Sequence, residues 1–197
     1  MEELREKCIL HTLALCSEYG MRFTMSELAA GLGVSKKTLY VLFPDKEALL
    51  TDAVDYVFDA VKRSEAEILR DETLSLTQKI ERLIIVIPEP FREIDWNRLN
   101  GVETKYPKVY AHICERIESG WDAALSLLRE GVETGVLRPF SIPVFKAMVE
   151  GSIEHFITSP ELAQQGVAYT QALEEMIALL MRGALVRKEG VHETRME

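Results

Sequence analysis

Long hydrophobic runs are missing from this chain. The longest is six residues, Met176 to Met181, against the roughly 20 that a membrane-crossing helix needs, so no membrane partner is expected. Cysteine is scarce. Cys8, Cys16 and Cys114 are too few and too scattered for a disulfide framework, and Cys8 and Cys16 on one helix would stand about 12 Å apart, beyond bridging reach. They read as buried thiols in a reducing compartment. The first residues are charged, with Glu2, Glu3 and Glu6, and do not form the apolar segment of a secretory leader, which points to the cytoplasm. No stretch alternates apolar and polar residues for long, which argues against a sheet. Positive charge is also in short supply: 23 Lys and Arg against 32 Asp and Glu give a net charge of −9. Taken over the whole chain, that balance disfavours a nucleic-acid partner.

Catalytic groupings are lacking as well. His11, His112, His155 and His192 are spread along the sequence. Glu189-Gly-Val-His192 is a single Glu-x-x-His, whereas a di-iron bundle needs two. Gly151-Ser152 lacks the second glycine of a nucleophile elbow, and Cys114 has no base within a turn. The chain reads as a non-enzyme, with no cofactor and no metal expected.

What is present is helical periodicity. The 197 residues are 47% apolar and 28% charged, an ordinary globular mix, and most prolines and glycines fall between periodic segments. The spacing predicts helices over residues 3–19, from Thr24 to the glycines at 31 and 33, from Ser35 to before Pro44, and from Asp45 to about residue 69. Further helices are expected from Ser75 or Thr77 through Leu83–Ile87, over 108–134, 144–157 and 161–186, with an irregular or short-helical stretch over 91–106. Thr24-Met-Ser-Glu27 fits a capping box, Ser35 and Asp45 are good N-caps, and Gly20 sits where a left-handed cap would end the first helix.

Charge is distributed unevenly. From Gly20 to Lys46 there are four bases and two acids, a net +2, which leaves −11 on the rest. The two short helices in this segment, separated by Gly31-Leu-Gly33-Val, cannot stand alone in water and must dock on the first helix. Leu28, Leu32, Val34, Leu39 and Leu42 supply an apolar inner side, Ala29 permits close approach and Gly33 the turn, giving a helix-turn-helix. The outer face of the second helix carries Ser35, Lys36, Lys37, Thr38 and Tyr40. A helix 10–12 Å across fits a major groove about 12 Å wide. Lys36 or Lys37 can donate to guanine, Thr38 and Tyr40 to phosphate, and Lys46 lies in the first turn of the next helix, where a phosphate is also favoured.

The run from Phe23 to Leu50, with Gly33-Val-Ser-Lys-Lys-Thr-Leu-Tyr40 and Phe43-Pro-x-Lys46-Glu47-x-Leu49-Leu50, resembles the DNA-binding region of TetR-type transcriptional regulators over roughly residues 5–55. The resemblance implies that Thr24, Ser35, Thr38 and Lys46 contact the DNA backbone while Lys36, Lys37 and Tyr40 line the groove. Two positions depart from the family pattern: Val41 and Leu42 stand where aromatic or imidazole groups are common. The basic arm often found before the first helix is replaced by acids.

The fold class expected is all-α. An N-terminal three-helix DNA-binding domain (1–46) is joined by a long helix to a larger helical effector-binding and dimerisation domain (47–187), with a flexible tail (188–197). The resemblance implies a homodimer formed through the last two helices. Their apolar stripes are compatible: Phe145, Met148, Val149 and Phe156 on one, and Tyr169, Leu173, Met176, Ile177 and Leu180 on the other. Packing inside one chain is the rival reading, since a stripe does not name its partner. Phe58, Phe91, Trp96, Glu103, Tyr106, Tyr110, Cys114, Trp121 and His155 combine aromatic walls with polar tips, as small-molecule pockets do. The chain thus reads as a DNA-binding repressor released by a small-molecule effector. An activator or protein-partner-dependent regulator of the same shape, and a helical protein with a vestigial reader, are the alternatives.

Overall fold

Caps and helix breakers place the elements. The structure, a computed structural model, describes residues 1–186; the expected tail and the Glu189–His192 pair lie outside the described residues. Among the described residues there are eleven α-helices and no strand. α1 (Glu2–Tyr19), α2 (Met25–Gly31), α3 (Lys36–Leu42) and the long α4 (Lys46–Arg70) follow the sequence reading closely. The Thr24 capping box forms with both of its bonds, and Ser35 and Asp45 cap α3 and α4 through their side chains. Gly20 does have positive φ, 60°, but its ψ of −144° is not the left-handed helical cap. A Cβ there would stand 2.8 Å from the Arg98 carbonyl oxygen, so this glycine is also required by close backbone approach.

Three segments beyond α4 differ from expectation. α5 (Leu76–Ile84), started by a Ser75 capping box, stops inside the Leu83–Ile87 run. The rest of that run leads without helix into Pro88, which has no amide proton to continue a helical ladder. The single amphipathic helix expected over 108–134 is two, α7 (Pro107–Ser119) and α8 (Asp122–Glu133). They part at Gly120, whose carbonyl accepts from Lys62 Nζ at 2.8 Å, and at Trp121, which is buried. The last expected helix is interrupted at Gly166, φ 73°, giving α10 (Glu161–Gln164) and α11 (Tyr169–Ala184). Between α5 and α7 the chain makes two 3₁₀ turns, Glu89–Phe91 and Trp96–Leu99, and a single turn α6 (Val102–Lys105). α9 (Ile142–Thr158) begins with a proline in its first turn, where no bond is lost.

Apolar burial gathers in two cores. One joins the first three helices, their adjoining turn and α4 to Phe91, Val102, Val109, Ile113, Ile117 and Ile157. The other joins α5, α8, α9 and α11 around Leu128, Leu137, Val149 and Met181. The first core therefore does not stop at residue 46. It runs from the helix-turn-helix on into α6 and α7.

Candidate nucleic-acid interface and ligand cavity

Leu28 and Ala29 on α2 and Leu39 on α3 are almost wholly buried against α1, with Phe43 directly after α3. Between the helices Gly33 takes φ 66°, and Val34 N–H donates to the Ala29 carbonyl at 3.0 Å, closing the turn. Arg5 fixes the far end of α3. Its guanidinium donates to the Leu42 carbonyl at 3.1 Å, pairs with Asp52 and lies 4.7 Å over the Phe43 ring. Arg5 is therefore committed to the fold. No local pattern signals that role, because its partners stand 37 and 47 positions away.

With its inner side held, α3 presents Ser35, Lys36, Lys37, Thr38 and Tyr40 to solvent, together with Val41, which is 66% exposed. Thr38 N–H donates to the Ser35 hydroxyl at 3.0 Å and the two hydroxyls lie 2.8 Å apart, so the first turn offers a fixed polar edge. Thr24 is exposed beside it, with its hydroxyl bonded to Glu27 at 2.9 Å. These bonds from the Thr24 amide and hydroxyl hold the Glu27 carboxyl below its ordinary pKa.

Lys46 is placed differently from the other residues of this set. Its ammonium turns inward over the Phe23 ring, 3.5 Å from the centroid, and donates to the carbonyls of Met21, at 3.1 Å, and Phe23. Desolvation lowers its pKa to about 8. The phosphate contact expected of it is thus not presented in this arrangement; the carbonyls that end the turn after α1 occupy its donors instead. Lys105, from α6, donates to the same Met21 carbonyl at 2.8 Å. With Asp95 N–H donating to the Ser17 hydroxyl at 2.9 Å, this forms a polar seam between the helix-turn-helix and the second half of the chain.

Above that seam lies a cavity of about 210 Å³. Leu13, Cys16 and Met21 line one end. The walls are α4 from Leu50 to Glu65, residues 83–88, Trp96, Leu99, Val102 and faces of α7 and α8, with Tyr169 and Leu173 from α11. It therefore lies between the two cores. Burial pushes the Cys16 thiol up to about 11, so it is a neutral wall group.

Of the residues expected in a pocket, Phe58, Trp96 and Trp121 line this cavity. Phe91, Glu103, Tyr106, Tyr110, Cys114 and His155 do not. Phe91 is core, edge-on to Tyr56 at 6.1 Å. Tyr106 faces the Lys46 and Lys105 ammonium groups. Glu103, Tyr110 and Cys114 lie off the cavity, with burial, followed by a hydrogen bond to Cys114, raising Tyr110 to about 12. His155 is exposed, 3.9 Å from Glu161. The mixture of rings and polar tips marks core and surface as readily as cavity wall.

The apolar stripes on α9 and α11 also need correction. Phe145, Val149, Leu173, Met176 and Ile177 are buried in the chain's own core, and Phe156, Tyr169 and Leu180 are half-buried against it. Periodicity found the inner face. Met148 alone of that set is well exposed, and beside it Val144 and Leu179, 57% and 69% exposed, form the outward apolar surface of the two helices.

Comparison with known proteins agrees with this geometry. Residues 9–53 match the family model of bacterial regulatory proteins, tetR family. The HTH-type transcriptional regulator YvaF of Bacillus subtilis is 26% identical over 186 residues, 94% of this chain and 97% of that protein. The nucleoid occlusion factor SlmA of Shewanella frigidimarina is 28% identical over 172 residues, covering 79% of this chain and 84% of its own. Among solved structures, the transcriptional regulator FadR of Bacillus subtilis in complex with stearoyl-CoA superposes with a TM-score of 0.64 at 18% identity, over 90% of this chain and 98% of that one; this likeness speaks to the fold. Together with the α2–α3 geometry and the capped, outward α3, these matches show that residues 9–53 carry a helix-turn-helix of the tetR family type and that the chain as a whole is similar to TetR-type transcriptional regulators.

Proposed function

We propose that the chain works as a homodimeric repressor that an effector in the cavity releases from DNA. The observation that carries this reading is the position of the cavity: one continuous apolar space is walled at one end by the helix-turn-helix (Leu13, Cys16, Met21) and elsewhere by the second core. A ligand filling it contacts both bodies, so it can bind one relative placement of them better than another. That difference in affinity shifts the population between placements. α4 is the lever, since it begins at the reader and lines the cavity over two-thirds of its length.

Val144, Met148 and Leu179 support a dimer. A second copy seated on this outward face of α9 and α11 removes three exposed apolar side chains from water. The two α3 helices then have to stand about 34 Å apart to enter successive major grooves on one side of a near-palindromic site. Lys36 and Lys37 read base edges, and Thr24, Ser35 and Thr38 hold the backbone.

The test begins by selecting bound fragments from the source genome and measuring affinity for one of them by fluorescence anisotropy. Lys36→Ala and Lys37→Ala each weaken specific binding by roughly 1–3 kcal/mol, the cost of a lost paired guanine contact. If both variants keep full affinity and base preference, the groove assignment is wrong. If affinity is equal with and without a cavity ligand, the release mechanism is wrong while the DNA-binding module stands.

A further inference from the structure

We propose that the effector is an uncharged, elongated lipophile with a hydrogen-bonding oxygen, which it places on the Tyr169 hydroxyl. The proposal rests on the effector-released reading above and names the class of molecule that the cavity takes.

The length comes from α4. Its cavity-lining residues run from Leu50 to Glu65, about 22 Å along the helix axis at 1.5 Å per residue. The wall is hydrocarbon over nearly all of that distance: Ala53, Val54, Val57, Phe58 and Val61 on α4 face Leu83–Pro88 and the apolar sides of α7 and α8. Burial of apolar ligand surface is therefore the main driving force available.

The charge comes from pairing. Lys62 and Arg116 are the cations that line the cavity, and both are already engaged. Lys62 Nζ donates to Glu65 Oε2 at 2.7 Å and to the Gly120 carbonyl at 2.8 Å. Arg116 donates to Asp55 at 2.9 Å and to Asp59 at 2.8 Å. An anionic head group would have to compete with these carboxylates for Lys62 or Arg116, and Glu65, the partner of Lys62, is itself buried. A cationic head group would have to take Glu65 from Lys62. Drawing Lys62 away from the buried Glu65 costs more than a new pair returns.

The oxygen comes from Tyr169. This residue opens α11, lines the cavity and packs beside Trp96, 6.3 Å between ring centroids. Burial alone raises the pKa of its hydroxyl, with no hydrogen bond and no neighbouring charge contributing. Its hydroxyl is not among the buried oxygens that lack a partner; it keeps accessible surface, which a ligand carbonyl or hydroxyl can meet with a hydrogen bond. Trp96 does not compete for that oxygen, because its indole N–H donates to the Phe91 carbonyl at 3.2 Å.

The experiment uses four probes of equal chain length on the full chain: 1-decanol, decanoate, decyltrimethylammonium and 1-chlorodecane. Trp96 and Trp121, the two tryptophans of the sequence, both line the cavity, so intrinsic fluorescence reports occupancy. We expect 1-decanol to bind at least about tenfold tighter than either charged probe. Tyr169→Phe should weaken 1-decanol by about threefold to tenfold, the range of one hydrogen bond, and leave 1-chlorodecane unchanged, which also shows that the variant is folded. The proposal is overturned if a charged probe binds as well as the alcohol, if none of the four binds, or if Tyr169→Phe holds 1-decanol as tightly as the unsubstituted chain. DNA affinity is measured in the same samples. A bound alcohol that leaves DNA affinity untouched sinks the release reading and keeps the ligand class; release by decanoate with no response to 1-decanol does the reverse.

Discussion

The two ends of this molecule offer opposite chemistry to what they meet. α3 holds out two lysines, two hydroxyls and a phenol to water on a scaffold fixed by caps and a buried inner side. The cavity holds out hydrocarbon, with its charged groups paired off inside the protein. The first surface suits a polyanion whose counterions are released on contact, so its binding weakens steeply with salt. The second suits burial, which salt screens hardly at all. Under the proposed function, one chain answers two unrelated signals, each sensed through a different force.

The largest effect that probes this division is on stability. Phe43→Ala removes a fully buried ring from beneath α3 and should cost about 3–5 kcal/mol. Since that core continues into α6 and α7, helix content and tryptophan fluorescence should be lost at one urea midpoint. Two separate midpoints would show that the reader and the cavity walls are independent bodies and would break the shared-core picture. Thr24→Ala, which removes the α2 cap, should cost about 1 kcal/mol and weaken DNA binding while fluorescence-detected binding of an uncharged probe stays unchanged. The smallest effect concerns Lys46. Its folded pKa of about 8 lies below the ordinary 10.5, so between those values the unfolded chain binds the extra proton and stability rises with pH. Below about pH 8 both states are protonated and the slope vanishes. The difference in urea midpoint between the unsubstituted chain and Lys46→Met should therefore shift in favour of the former between pH 8 and 10.5. A flat difference would mean that the ammonium is as well solvated as on the open surface.

The reader was legible because its determinants are close in sequence. Thr24 and Glu27, Ser35 and Thr38, Asp45 and Ala48 lie three positions apart, within the reach of one helical turn, and Gly33 needs nothing but its own backbone. The all-helical class and most helix starts followed from the same local rules. The cavity was not legible, because its walls come from α1, α4, the segment after α5, α7, α8 and α11, and no local spacing records which of them meet. The break at Gly120 depends on Lys62, 58 positions earlier. The stripes on α9 and α11 are legible as apolar, but periodicity carries no sign of which stripe a chain keeps for its own core. Lys46 follows a related rule: its place at a helix start is visible in the sequence, whereas the carbonyls of Met21 and Phe23 that draw it inward are made available by the turn after α1.

The carbonyl of Met21, which accepts from Lys46 on one side and Lys105 on the other, bears on engineering. Exchanging operator preference between relatives by grafting everything up to the start of α4 would carry this oxygen away from the Lys105 it was fitted to, and would set a foreign residue against the Arg98 backbone at position 20. A cleaner transplant swaps only the outward positions of α3 and leaves the joint at residues 17–23 as its host built it.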